Sequence, residues 1–361
     1  MPHIRHLYPG GNTSRGFYSY YDQLLRPQTA TRIFILKGGP GVGKSTLMRS
    51  IGETIAEKMD VEFLHCSSDN DSLDGILVPS KGLMMVDGTA PHIVDPDLPG
   101  AVDGIVNLGT CLNETAMHEK APQIHQTKQK ISARFRRAYR YLAAASRLRE
   151  DSNALYAAHT DRAALNDALA PWLKTLFDKR KPQASGRERK LFAGAVTPRG
   201  CVCTLESLKP GECWRIDGPW AFPSEWILQR IRTQALWAGM DVESYHCAID
   251  PQRIEHLYLK QADLLITTHS EYHNISPAGV TQTLSFRPLL DASALSLHQA
   301  DLQQNRAMFS QLLQTAADAI ADAKALHDTL EHFYTSEMDY TKLGRISEQV
   351  RRRMLSLSGL V

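Results

Sequence analysis

The fold is decided by one stretch, Lys37-Gly-Gly-Pro-Gly-Val-Gly-Lys-Ser-Thr46, which directly follows the apolar run from Ile33 to Leu36. The pattern predicts a buried strand, a glycine-rich turn and then a helix, the arrangement of a phosphate-binding loop (P-loop). Glycines let the backbone fold around a polyphosphate with its N–H groups pointing inward, and the start of the helix favours negative charge. We therefore expect this stretch to bind a nucleotide.

The loop assigns a role to each of its residue types. Lys44 would reach the β- and γ-phosphates as a point charge, and the Ser45 hydroxyl would ligate the Mg²⁺ that bridges them. The expected nucleotide contacts are Gly38, Gly39, Pro40, Gly41, Val42, Gly43, Lys44, Ser45 and Thr46. A glycine-rich turn that matches by accident is the alternative, but the preceding strand and the complete Gly-Lys-Ser-Thr ending argue against it.

A second metal ligand is expected at the end of another buried strand. The segment Gly82-Leu-Met-Met-Val-Asp87 has four apolar residues that lead to one aspartate, so Asp87 is the candidate Walker B carboxylate. A turn aspartate after a core strand is the competing interpretation. The next residue is Gly88, whereas many ATP-hydrolysing proteins of this class have a glutamate there to polarise water. Another group would then orient the nucleophile, or hydrolysis is slow, or the acceptor is not water.

Asp69 is the candidate for that orienting group. It follows a predicted strand, at the edge of an open α/β sheet where ligands bind, and it would orient water or an acceptor hydroxyl. Asp71 and Asp74 are alternatives. The competing interpretation is that all three aspartates cap a following helix.

The chain contains two copies of one unit. Met59-Asp-Val-Glu-Phe-Leu-His-Cys-Ser-Ser-Asp69 returns as Met240-Asp-Val-Glu-Ser-Tyr-His-Cys-Ala-Ile-Asp250, with seven of eleven positions identical. Further matches extend the repeat in both directions, including Thr13 and Arg15 with Thr197 and Arg199, and His92 with His273. We therefore expect an internal duplication over most of the chain, with residues 1–192 and 193–361 as two domains.

The second copy lacks the features of a phosphate site. Pairing Gly39-Pro40 with Gly218-Pro219 replaces Gly41, Gly43 and Lys44 with Trp220, Phe222 and Pro223, and Asp87 becomes Thr268. Bulky side chains and a proline cannot form an anion cradle, and no lysine replaces the lost charge. We expect one nucleotide per chain. Some residues are retained in the copy that has lost the site, such as Asp250 for Asp69 and His273 for His92. Their retention favours a structural role for these residues over a catalytic one.

The motifs resemble those of a bacterial family of tandem P-loop ATPase-like proteins. The resemblance is carried by Gly10-Gly-Asn-Thr-Ser-Arg-Gly-Phe17, the loop at 38–46, the His-Cys-Ser-Ser-Asp segment and Val86-Asp-Gly-Thr-Ala-Pro-His-Ile-Val-Asp-Pro96, and it spans nearly the whole chain. It implies an NTPase fold and no particular substrate. Both halves of such proteins commonly keep a phosphate loop, so the second half here departs from the pattern.

The predicted fold class is α/β, with two tandem P-loop NTPase-like domains, each a mainly parallel sheet flanked by helices and followed by a helical extension. The first-half elements are strands at 32–37, 61–66 and 82–87, a helix at 44–58 and mainly helical residues at 113–178. Residues 179–186 are polar and rich in helix breakers, which predicts a connector.

Composition limits the partners and the compartment. With 43% hydrophobic and 22% charged residues, the chain has the composition of a globular protein, and no apolar run approaches a membrane span. The N-terminus lacks an apolar signal region, which predicts a cytoplasmic protein. A net charge of +2 does not argue for a nucleic-acid partner.

The helical extensions differ in charge. Residues 128–149 are basic, whereas residues 300–339 are acidic. A solvated basic helix face is the plain interpretation, and packing of the two extensions through opposite charge is a further hypothesis.

The leading functional prediction is a Mg²⁺-dependent ATP-binding NTPase whose second half is an inactive, regulatory or scaffolding pseudo-domain. Its expected partners are the nucleotide and an unidentified protein or small molecule, without which hydrolysis would be slow. A phosphotransferase acting on a small metabolite or nucleotide, and a nucleotide-sensing switch without significant turnover, are the alternatives. A further expectation is that Arg199 reaches across from the inert copy towards the nucleotide, although an exposed arginine in a tight turn would have the same sequence.

Overall fold

The computed structural model of the chain describes residues 2–24, 29–178, 184–268, 272 and 279–361. The first half contains β1 (Ile4–Leu7), β2 (Gly10–Thr13), β3 (Gly16–Ser19), β4 (Arg32–Lys37), α1 (Lys44–Ala56), β5 (Val61–His65), β6 (Leu73–Val78), β7 (Leu83–Asp87), β8 (Asp103–Asn107), α2 (Glu114–Glu119), α3 (Ala121–Ala158) and α4 (Arg162–Phe177). The second half contains β9 (Glu188–Phe192), β10 (Gly194–Thr197), β11 (Gly200–Cys203), β12 (Glu212–Asp217), α5 (Glu225–Trp237), β13 (Val242–His246), β14 (Ile254–Leu259), β15 (Leu264–Thr268), β16 (Gln282–Ser285), α6 (Ala292–Ser296), α7 (Gln299–Thr335) and α8 (Tyr340–Ser358). Among the described helices, none is both long and apolar enough to cross a membrane.

The fold is α/β, and its two six-stranded sheets have the same topology. The first sheet has the order β1-β5-β6-β7-β4-β8, and the second has the corresponding order β9-β13-β14-β15-β12-β16. In each sheet one strand, β6 or β14, runs antiparallel to both neighbours, while the other pairs are parallel. The sheets are therefore mixed, whereas the sequence predicted mainly parallel ones. The two halves therefore connect their strands in the same order, as expected from the repeat in the sequence.

The predicted first-half strands and helix agree with the structure to within two residues at each end. One prediction is wrong: the aspartates at 69–74 do not cap a helix. The chain turns there and returns as β6, with the Asp69 carboxylate accepting hydrogen bonds from Asp71 N at 3.1 Å and from Ser72 Oγ at 2.8 Å. β6 was missed because Asp74 and Gly75, both poor strand formers, lie near its start.

Both faces of each sheet are buried. In β4, Ile33 and Ile35 point into a core shared with the second sheet, while Phe34 and Leu36 point towards α1. The alternation follows from the two-residue period of a strand, and burial on both faces explains why β4 and β7 are apolar throughout. The two sheets thus pack face to face, with helices on their outer faces.

The halves exchange their last helices. α8, from the end of the second half, packs on the first sheet through Val350, Met354 and Leu355. α4, from the end of the first half, packs on the second sheet through its leucines and Trp172. The second sheet also includes β9, whose residues a boundary at 192 assigns to the first half. Each sheet is therefore covered by one helix of its own half and one of the other.

The long helices α3 and α7, which are the two helical extensions, pack along each other. Their contact is apolar and uses small residues such as Ala138, Ala145 and Ala316 around Leu142 and Phe309. An ion pair between the two helices joins Arg134 Nε to Asp322 Oδ2 at 3.6 Å and is well exposed. The two extensions thus meet as hypothesised from their charges, but the buried apolar contacts hold them together.

Candidate functional site

The loop at 38–43 connects the carboxyl end of β4 to the first turn of α1. Gly38, Gly41 and Gly43 have φ angles of 149°, 70° and 84°, a region that other residues rarely adopt. A Cβ atom at Gly38 would come within 2.9 Å of Val42 Cγ2 and 3.2 Å of Gly109 N. The course of the backbone therefore favours glycine at these positions.

Lys44 is the first residue of α1 and is only 8% exposed. Its ammonium donates hydrogen bonds to Gly39 O at 2.8 Å and Gly38 O at 3.2 Å, and it lies 3.6 Å from Asp87 Oδ2. The predicted lysine and the predicted Walker B carboxylate are therefore neighbours. Lys44 is more buried than expected for a charge that faces solvent, because the loop curls around it.

Asp87 ends β7 beside β4. Its Oδ1 accepts hydrogen bonds from Thr89 N at 2.9 Å and Thr89 Oγ1 at 2.6 Å, which fixes the carboxylate and leaves Oδ2 directed to Lys44. Ser45 Oγ accepts a hydrogen bond from Leu73 N at 2.9 Å and keeps its proton for another acceptor. A hydroxyl and a carboxylate are the oxygen ligands that Mg²⁺ uses in nucleotide sites, where phosphates and water complete the coordination. The donor set at Ser45 and Asp87 fits that ion.

Asp74 lies near Asp87, at the end of the neighbouring strand. The β6–β7 ladder ends with the pair of Gly75 and Val86, and Asp74 lies just beyond it, where β6 has an irregular register against β5. Both carboxylates act on the buried ring of His92 and favour its charged form. From the sequence, Asp74 was only an alternative to Asp69, because the antiparallel strand that carries it was not predicted.

Asp74 forms a buried pair with His92. The distance from His92 Nε2 to Asp74 Oδ1 is 3.4 Å, and both side chains are less than a tenth exposed. Burial alone would lower the pKa of His92, but the Asp74 carboxylate outweighs it and raises that pKa above its ordinary value. Asp74 Oδ2 and His92 Nδ1 are buried without a hydrogen-bond partner. The buried Tyr21 hydroxyl and Cys66 thiol also lie beside the Asp74 carboxylate, which together with burial raises the pKa of both groups. The matching His273 lies outside the described residues.

Asp69, the predicted catalytic carboxylate, is held elsewhere. Besides the turn bonds described above, its Oδ2 lies 3.4 Å from Lys324 Nζ, which belongs to α7 of the second half. Lys324 also pairs with Asp328 on its own helix. Asp69 thus closes a turn and attaches α7 to the first half, and Asp74 is the carboxylate that the sheet places beside Asp87.

The end of α7 covers the glycine loop. A Cβ atom at Gly39 would clash with the ring of Tyr334, and one at Gly41 would lie 2.9 Å from Thr335 Cγ2 and 3.2 Å from Glu331 Cβ. A Cβ atom at Gly43 would lie 3.6 Å from Leu343 Cδ2 of α8. The surroundings of the first-half loop are therefore supplied by the second half.

Arg199 also crosses between the halves. Its Nη2 lies 2.5 Å from Asp71 Oδ2, and both side chains are mostly exposed. The repeat equivalent, Arg15, donates to Gln252 Oε1 at 2.7 Å. In both turns a threonine, Thr13 or Thr197, accepts the arginine backbone N–H. Arg199 reaches the first half as expected, where it contacts the turn that follows β5; its effect on a bound phosphate stays a prediction.

The second half keeps the backbone path of the loop but lacks the lysine and the open space that a phosphate would need. Gly218 takes the place of Gly38, since a Cβ atom there would meet Phe222 as one at Gly38 would meet Val42. Ala221 has a φ of 63°, close to that of Gly41. This correspondence shifts the sequence pairing by one residue, so that Lys44 is replaced by Ser224. Phe222 is 3% exposed and fills the loop, which agrees with the predicted absence of a phosphate cradle.

Comparisons with protein-family models, with curated proteins and with solved structures give no match to this chain. The functional assignment therefore depends on the geometry of the loop and of the carboxylates around it.

Proposed function

We propose that the first half binds a Mg²⁺–nucleoside triphosphate, ATP in the leading case, and hydrolyses it. The observation that carries the proposal is the meeting of a glycine loop at the end of β4 with Lys44 and Asp87, whose charged atoms lie 3.6 Å apart. A backbone nest at a helix start, a lysine and a carboxylate beside a hydroxyl form a set that recognises polyphosphate with its metal.

Each residue of the set has a definite task. The ammonium of Lys44 exchanges its bonds to Gly38 O and Gly39 O for bonds to the terminal phosphates. Ser45 and Asp87 hold Mg²⁺, which when bound neutralises the charge that develops on the phosphate oxygens. The carboxylate of Asp74, which lies near Asp87 and has a buried Oδ2, accepts a hydrogen bond from the attacking water. His92 fixes the orientation of that carboxylate, and the pair takes the part of the glutamate that Gly88 replaces.

A nucleotide-sensing switch is the second candidate, and the cover of the loop by α7 favours it. Tyr334 and Thr335 contact the glycines directly, so nucleotide in the loop and the position of α7 depend on each other. A switch would bind nucleotide tightly and turn it over slowly. The two candidates share one site and differ in rate.

The test measures Mg²⁺-ATP binding by calorimetry and phosphate release in the unmodified chain, in Lys44→Ala and in Ser224→Ala. Ser224 is the matched control because it occupies the position of Lys44 in the other half. Lys44→Ala should abolish binding and turnover, while Ser224→Ala should retain both. Binding with slow release supports the switch, and phosphate appearing on an added acceptor supports the phosphotransferase. Undiminished binding and turnover in Lys44→Ala would exclude the site.

A further inference from the structure

The second half contains a cavity at the place that corresponds to the phosphate loop of the first. Its volume is about 210 Å³. Gly218, Trp220 and Phe222 of the loop form one wall, and Arg149 of α3, a first-half helix, forms another. The cavity is therefore a composite of the two halves. It is smaller than the roughly 300–1,000 Å³ of sites for drug-sized ligands, which restricts it to a small molecule.

Two buried guanidinium groups line the cavity. Arg149 donates to Glu255 Oε1 at 2.6 Å and to Cys247 Sγ at 3.0 Å. Arg253 donates to the backbone oxygen of Phe222 at 3.3 Å. The Nε atoms of both arginines are buried without a hydrogen-bond partner. Guanidinium groups present five donors in a planar fork, so each arginine still has donors to offer to a ligand.

Despite burial, Glu255 holds the pKa of Arg149 above its ordinary value, whereas Arg253 has the opposite shift. Burial, together with the neighbouring Arg149, lowers the pKa of Arg253 below its ordinary value. The carboxylates of Glu255 and Glu225 offset only part of this, because the pKa of Arg253 stays low despite both. A negatively charged group between Arg149 and Arg253 would relieve the repulsion and supply the missing acceptors.

Part of the cavity lining is aromatic. The rings of Trp220 and Phe309 meet edge to face with centroids 5.1 Å apart, and Tyr272 lies 5.9 Å from Phe309. These rings line the cavity together with the arginines. A ligand with an anionic head and a small planar or apolar body would match both walls.

We propose that this cavity binds a small metabolite carrying a phosphate or carboxylate group, with the oxyanion held by Arg149 and Arg253. The second half thus keeps an anion site after losing the backbone cradle, and it uses side chains from both halves instead of loop N–H groups. Phosphate and carboxylate share the geometry that a guanidinium fork recognises, so the test separates them with two probes.

The experiment titrates phenyl phosphate and benzoate separately into Lys44→Ala, whose first-half loop is disabled, and follows the heat of binding. At least one probe should bind with a stoichiometry of one, and the stronger of the two identifies the head group. Arg253→Met should weaken that probe by about tenfold or more, since a charge-assisted hydrogen bond is lost. Arg253→Lys, which retains the charge, should recover part of the affinity.

Circular dichroism establishes whether each variant folds. If Arg253→Met does not fold, Trp220→Leu replaces it, because loss of the aromatic wall should weaken phenyl phosphate while leaving the arginines in place. Failure of both probes to bind would overturn the proposal, as would equal affinity in a folded Arg253→Met. Because the measurements are made with the first-half loop disabled, they do not depend on whether ATP binds there.

Discussion

Arg189 of the second half donates to Glu62 Oε2 of the first half at 2.6 Å, and this bond is the counterpart of the one from Arg5 of the first half to Glu243 of the second. Each arginine also contacts the glutamate of its own half, so these four charges form one group between the sheets, and the more exposed Lys260 approaches Glu243 to 3.0 Å. All four side chains are at least 85% buried. The pseudo-twofold relation of the halves thus includes their buried charges.

We expect Arg189→Met to destabilise the fold by about 3–5 kcal/mol, because it leaves a buried glutamate without one of its two arginines. Denaturant unfolding of both proteins gives the difference. Arg352→Met is the control, since Arg352 pairs with Glu348 on the surface, where such a pair contributes only about 0–1 kcal/mol. A loss below that surface value in Arg189→Met would show that the charge group does not stabilise the contact between the sheets.

The same group of buried charges should make the stability of the fold sensitive to acid. Burial opposes ionisation of Glu62 and Glu243, but the two arginines, joined at Glu243 by Lys260, prevail and lower the pKa of both carboxyls below the ordinary 4.5. A carboxyl with a lowered folded-state pKa stabilises the fold above its unfolded value, and that stability is lost as pH falls through the folded value. The unfolding free energy should therefore fall steeply below about pH 4.5, and Glu62→Gln should flatten the dependence. An identical pH slope in the variant would contradict this assignment.

Substitution of Asp74 should affect turnover far more than substitution of Asp69. If Asp74 orients the nucleophile, Asp74→Asn should reduce phosphate release by about 10²-fold or more with little change in ATP affinity. Asp69→Asn should have a small effect on turnover, because Asp69 is bound in a turn and to Lys324. Steady-state assays on the two variants compare them directly. The reverse order of effects would restore Asp69 as the catalytic carboxylate.

His92 gives a spectroscopic test of the same pair. Its pKa is raised because the Asp74 carboxylate faces the buried ring, so it should titrate above the ordinary value of 6.5. Stability from this pair is present below pH 6.5 and is lost as pH rises through the folded value. NMR titration of the ring protons should show the pKa falling in Asp74→Asn. No change in that variant would mean that the two side chains do not interact.

The contact between Gly39 and Tyr334 can be tested by a double-mutant cycle. Gly39→Ala should destabilise the chain by about 1–3 kcal/mol, since the new methyl group clashes with the tyrosine ring. Tyr334→Ala creates room, so the double variant should recover much of that loss. Gly344→Ala, where no atom lies within 4 Å of the added carbon, is the matched control. Additive effects in the cycle would place α7 away from the loop in solution.

Local patterns predicted the α/β class and the strands near the loop, because strand periodicity and glycine spacing are encoded over a few residues. The duplication was predictable because the segment at 59–69 returns at 240–250 with most residues unchanged. Two features of the site were not predictable in this way. The position of Asp74 depends on an antiparallel strand whose sequence has weak strand propensity, and its nearness to Asp87 follows only from the pairing of β6 with β7. The cover of the loop by Tyr334 depends on contacts between residues about 300 positions apart. The apolar stripe of α7 indicates that the helix packs on another surface, but it does not identify that surface.

The exchange of α4 and α8 makes the duplicated architecture indivisible. A gene cut into its two repeats would encode polypeptides that each lack one of the two helices covering their own sheet, leaving Leu169 and Trp172 of one fragment, or Met354 and Leu355 of the other, in water. Such fragments should be insoluble alone and regain structure on mixing. Separation of the two repeats is thus disfavoured, because each repeat completes the core of the other.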